Sequence, residues 1–83
     1  MLMVVVLGLG RFGAAVASTL YAQGAEVLAI DRNQRLVEEI KDRVSVAIAT
    51  DATQRSILEA YDVGRMDVAV IGKPDEVRGQ IVK

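Results

Sequence analysis

Met3 to Leu7 is an unbroken apolar run dominated by β-branched residues, the pattern of a strand covered on both faces. Gly8-Leu9-Gly10 interrupts it. From Arg11 to Ala22 inward positions recur at helical spacing, at Phe12, Val16, Thr19 and Leu20, and Gly24 supplies a stop. A second strand is predicted over Glu26 to Ile30, closed by Asp31. A short helix follows over Gln34 to Lys41, with Asn33 as cap and Leu36, Val37 and Ile40 facing inward. Val44 to Ala49 reads as a third strand, Gln54 to Tyr61 as a third helix carrying Ile57, Leu58 and Tyr61, and Met66 to Ile71 as a fourth strand ended by Gly72-Lys73-Pro74.

Strands and helices that alternate in short units imply right-handed crossovers and a parallel sheet. The fold expected is therefore α/β and Rossmann-like, with strand order 3-2-1-4. The reversal between the first and fourth strands opens the crevice in which such sheets bind ligands. Residues 1–72 are expected to form this domain, and 73–83 read as a polar tail or as the start of a missing second half.

Composition narrows the chemistry. The chain has 83 residues, 52% of them hydrophobic and few aromatic, enough for one small domain. Ten basic and eleven acidic residues leave a net charge of −1, which offers no electrostatic reason for nucleic acid as a partner. There is no Cys and no His, so thiol catalysis, thiolate metal sites and the commonest general base are all missing. No catalytic constellation and no metal site is expected. The apolar start from Met1 to Leu9 is shorter than the roughly 20 residues of a membrane span, and the protein is expected to be soluble and cytoplasmic.

The candidate chemistry lies in Gly8-Leu9-Gly10-Arg11-Phe12-Gly13, which fits G-x-G-x-x-G. That pattern is weak alone, but here it follows a predicted strand and opens a predicted helix, as its mechanism requires. Gly8 allows the tight turn, Gly10 lets a pyrophosphate approach the backbone, and Gly13 lets the helix pack closely on the strand. Unpaired amides and the positive end of the helix dipole would hold the phosphates. Arg11 adds a cation inside the turn, although a lone first-turn Arg is often simply solvated.

Asp31 ends the second strand 18 residues after Gly13, where a carboxylate accepts bonds from both hydroxyls of an adenine ribose and repels a 2′-phosphate. Arg32 beside it weakens that exclusion. Asp51, at the end of the third strand, has two readings of equal weight: an acceptor for the adenine amino group, or the start of the third helix together with Thr53.

Val6 to Gly13, Glu26 to Asp31 and Thr50-Asp51-Ala52-Thr53 together resemble the RCK domains, also called KTN or Trk N-terminal domains, of potassium transport systems. The likeness covers about residues 3 to 72. It implies NAD(H), or ATP, ADP and AMP, held as ligands without chemistry, and a membrane potassium transporter or channel subunit as partner. It assigns phosphate binding to Gly8, Gly10, Arg11 and Gly13 with Phe12 inside the motif, ribose binding to Asp31, and adenine contact to Asp51 and Thr53. A protein of this kind sits in the cytoplasm, peripheral to the membrane through its partner. The reading from another class is the cofactor-binding fragment of an NAD-dependent oxidoreductase.

Family members continue past the fourth strand with a long apolar helix and two more strands. Here Lys73 to Lys83 is polar, with Gly79 interrupting any helix, so the second half of the fold is expected to be incomplete. The outer edge of the fourth strand would then stand open, and an open apolar edge predicts association into a homodimer or larger assembly.

Overall fold

A computed structural model describes residues 1–51, 59, 66–72 and 79–82, the last four by their backbone. The elements are β1 (Met3–Leu7), α1 (Arg11–Ala22), β2 (Glu26–Asp31), α2 (Gln34–Ile40), a 3-10 turn at Lys41–Arg43, β3 (Val46–Ala49), β4 (Val68–Gly72) and β5 (Gly79–Val82). Of the helix expected over Gln54 to Tyr61, only Glu59 lies among the described residues, and it is helical.

The sheet runs β3-β2-β1-β4-β5. β1 pairs parallel with β2 and with β4, and β2 pairs parallel with β3, which is the doubly wound order 3-2-1-4. β1 lies at its centre, and Val4, Val5 and Val6 are all fully buried. Alternate side chains serve two cores. Val4 and Val6 join Val27, Ala29 and Val70 beneath α1 and α2, where Ala17, Val37 and Ile40 pack down. On the other face Val5 joins Leu28 and Ile30, with Leu7, Ile48, Met66 and Ala69 packed against them.

α1 approaches the sheet through its smallest residues, since the buried positions are Gly13 and Ala17, one turn apart. Phe12, Val16 and Leu20 flank that stripe as half-buried contacts, whereas Thr19, expected inside, is exposed. α2 keeps the expected face, with Val37 and Ile40 buried and Leu36 beside them. Asn33 caps it: its Oδ1 accepts from the Arg35 N–H at 3.0 Å. The helix stops one residue sooner than the apolar spacing predicts, tightening into the 3-10 turn at Lys41.

Two strands begin two residues later than their apolar runs, for one shared reason. Before β3, the Ser45 hydroxyl accepts from the Val27 N–H at 2.9 Å. Before β4, the Asp67 carboxylate accepts from the Met3 N–H at 2.8 Å. In each case a side-chain oxygen takes the amide that a ladder carbonyl would otherwise receive, and regular pairing starts with the next residue.

The expectation that the outer edge of the fourth strand stands open is corrected by the structure. Gly79–Val82 turns back as β5 and pairs antiparallel with β4, with Gly72 opposite Gly79 and Ala69 opposite Val82. The outer edge of β4 is therefore covered, and an expectation of self-association has to rest on other surface. Gly79, expected to interrupt a helix, instead begins a short strand whose Ile81-Val82 pair stands among charged and polar residues in sequence. Among the described residues no helix is long and apolar enough to cross a membrane, and no group of residues could hold a metal ion.

Covering β4 has a measurable consequence. A chain ending at residue 78 would expose the amides and carbonyls of Val68–Gly72, and light scattering across a dilution series should show more association than for the full chain. Equal behaviour of the two chains would mean that β5 does not protect the edge.

Candidate functional site

The glycine motif emerges at the carboxyl end of β1, between the ends of β2 and β4, where the strand order reverses. The chain leaves β1 through Gly8, whose N–H donates to the Ile30 carbonyl at 2.8 Å and so extends the β1–β2 ladder by one bond. Gly8 then adopts φ +98°, a left-handed conformation that side chains disfavour. Leu9 drops its side chain into the core at 2% exposure, and Gly10 forms the N-cap of α1.

The space around this turn is set by backbone rather than side chains. A Cβ on Gly13 would fall 1.8 Å from the Gly8 carbonyl oxygen, which is impossible without moving the helix. A Cβ on Gly72 would lie 2.8 Å from the same oxygen, and one on Gly8 would lie 2.6 Å from the Gly72 carbonyl. Helix, turn and strand end thus converge on one carbonyl group. Gly72 is the participant that sequence reasoning missed, because there it only marked the end of a strand.

α1 starts with no side-chain cap and no acidic residue in its first turn. Its leading amides precede the first intrahelical bond, from Ala14 N–H to Gly10 carbonyl at 2.9 Å. Such a start attracts an anion through both the donors and the helix dipole. Arg11 is exposed at this position, while Phe12 is half-buried against the core under the helix.

Asp31 joins the turn directly. One carboxylate oxygen, Oδ2, accepts from the Leu9 N–H at 2.7 Å, and Oδ1 accepts from the Asn33 N–H at 2.8 Å. The acid and the glycine turn therefore share one half-buried surface, although 22 residues separate Leu9 from Asp31. Arg32 is exposed beside it, and among the described residues neither Arg11 nor Arg32 has an ion-pair partner. Asp51 follows β3, on the same end of the sheet but beyond β2, and is half-buried. Thr53 lies outside the described residues.

A separate cleft of about 190 Å³ opens at the opposite end of the strands, lined by Met3, Leu28, Val46 and Met66 among others. Its lining is apolar apart from Glu26 and Ser45, and it contains none of the glycines.

The family model of the TrkA-N domain matches residues 4–82. The chain is 35% identical over 77 residues to the Ktr system potassium uptake protein A of Vibrio alginolyticus, and 30% identical over 77 residues to the Ktr system potassium uptake protein C of Bacillus subtilis (strain 168). Each match covers 93% of this chain and 35% of the relative. A Trk system potassium uptake protein TrkA homolog of Pyrococcus abyssi is 33% identical over 75 residues, covering 87% of this chain and 33% of that protein. The chain spans about a third of the length of the curated relatives it matches.

The geometry at Gly13 makes a sharp prediction. Gly13→Ala should cost at least about 3 kcal/mol, the upper end for forcing an extra carbon into a packed site, because the obstacle is backbone and cannot rotate aside. Chemical denaturation would measure it. A loss below about 1 kcal/mol would show that α1 can shift without penalty.

Proposed function

This chain belongs to the TrkA-N domain family, and on that premise we propose that its glycine turn and Asp31 bind the adenosine diphosphate portion of NAD(H) or of an adenine nucleotide. The observation that carries the reading is the 2.7 Å bond between Asp31 and the Leu9 amide. It brings the two groups that a nucleotide requires into adjacency: donors for a pyrophosphate at the start of α1, and a carboxylate for the neighbouring ribose.

In this reading each part has one task. The amides at the start of α1 and the Arg11 guanidinium neutralise phosphate charge. Gly10 leaves room for a phosphate oxygen against the backbone, and the Asp31 carboxylate accepts from ribose hydroxyls. Asp51, at the end of β3, lies on the side where the base would rest, with Thr53 following it in sequence. Phe12 supports the turn from below.

The ligand is bound and not transformed. A chain without His or Cys has few groups for proton transfer, and the site is assembled largely from backbone. The relatives are named as potassium uptake proteins of Ktr and Trk systems. The role that fits is a cytoplasmic sensing domain whose nucleotide state is read by a membrane potassium transporter or channel subunit. NAD(H), ATP, ADP and AMP share the adenosine phosphate part that the site addresses.

Titration calorimetry with ADP tests the assignment of the turn. Arg11→Ala removes one charge and should weaken binding by about 1.5 kcal/mol, close to tenfold. Gly10→Val places a branched side chain where the phosphate meets the backbone and should abolish binding. A folded valine variant that binds like the wild type would show that the phosphates lie elsewhere.

A further inference from the structure

Asp31 accepts two backbone amides before any ligand is considered, one on each side of it in space. Its Oδ2 holds Leu9 N, the central amide of the glycine turn, and its Oδ1 holds Asn33 N at the entry to α2. Asn33 in turn caps α2 through the Arg35 N–H. A continuous chain of bonds thus ties the turn to the start of the second helix.

The turn has need of such a tie. Leu9 stands between Gly8 and Gly10, which have no side chains to limit their backbone, and glycine loses more freedom on ordering than any other residue. The Leu9 side chain is anchored in the core, but the direction of its peptide is a separate matter. A hydrogen bond to a carboxylate is stronger than one to a neutral acceptor, and this one fixes that peptide. The orientation of the following Gly10 and of the first amides of α1 follows from it.

We propose that Asp31 is a positioning residue for the phosphate turn as well as a ribose contact, so that it contributes to binding of nucleotides that offer it no hydroxyl. This rests on the reading that the turn binds nucleotide. Asp31 then acts on both halves of the ligand: on the ribose directly, and on the pyrophosphate through the Leu9 amide. Asparagine cannot hold both amides. Its single acceptor oxygen can serve Leu9 or Asn33 but not both, and its NH₂ would face the other amide.

Calorimetry with ADP and with 2′,3′-dideoxy-ADP, on the wild type, Asp31→Ala and Asp31→Asn, separates the two tasks. Asp31→Ala should bind the dideoxy nucleotide about tenfold more weakly than the wild type does, the equivalent of one charge-assisted bond, and Asp31→Asn should fall between the two. In the wild type the Leu9 amide should also exchange with solvent as slowly as the amides of β1, a readout that stands even where a variant fails to fold. Unchanged affinity of a folded variant for dideoxy-ADP would overturn the positioning role and leave the nucleotide reading intact. So would a fast-exchanging Leu9 amide, or a wild type that binds ADP but not its dideoxy form. Failure of the wild type to bind either nucleotide would instead overturn the nucleotide reading, and the proposal with it.

Discussion

The Gly8 carbonyl is the point on which the architecture turns. Gly13 of α1 and Gly72 of β4 both come so near it that neither position has room for a Cβ. Because α1 can lie this close, its Gly13–Ala17 stripe seals the face of the sheet carrying Val4, Val6 and Val70. The same contact brings the start of α1 to the carboxyl end of β1, beside the end of β4. Packing and the geometry of the candidate site thus have a single origin. A larger residue at either neighbour would separate helix from sheet and scatter the donors together.

Most of the architecture could be read from the chain because two periodicities are clean. The β-branched run of β1 and the motif after it fix the centre of the sheet, and Asp31 and Asn33 mark the passage from β2 to α2 by recognisable chemistry. Where the structure departs from the sequence pattern, the cause is an interaction that leaves no local signal. Ser45 and Asp67 delay their strands by accepting ladder amides from residues distant in sequence. Thr19 satisfies helical spacing yet lies outside the stripe, since the sheet is met by glycine and alanine rather than by bulk. β5 was hidden because four residues among charges carry little periodic signal, and because its partner edge exists only once β4 has formed.

The site was legible to the extent that it is glycine and acid. The contribution of Gly72 was not, since nothing in sequence connects it to Gly8 across the crevice. Nor could the Asp31–Leu9 bond be foreseen, because its donor is a backbone amide and every residue but proline has one. This bond changes how the acid is understood: beside the ribose contact proposed for it, it holds the glycine turn.

The glycine turn and the apolar cleft lie at opposite ends of the same strands. Amide chemical shifts followed during titration with ADP distinguish them directly. Nucleotide binding at the glycine turn predicts saturable changes at Gly8 to Gly13 and at Asp31, with the amides of Met3, Glu26 and Val46 at the far end left in place. Changes confined to that far end, or none anywhere at millimolar ADP, would contradict it.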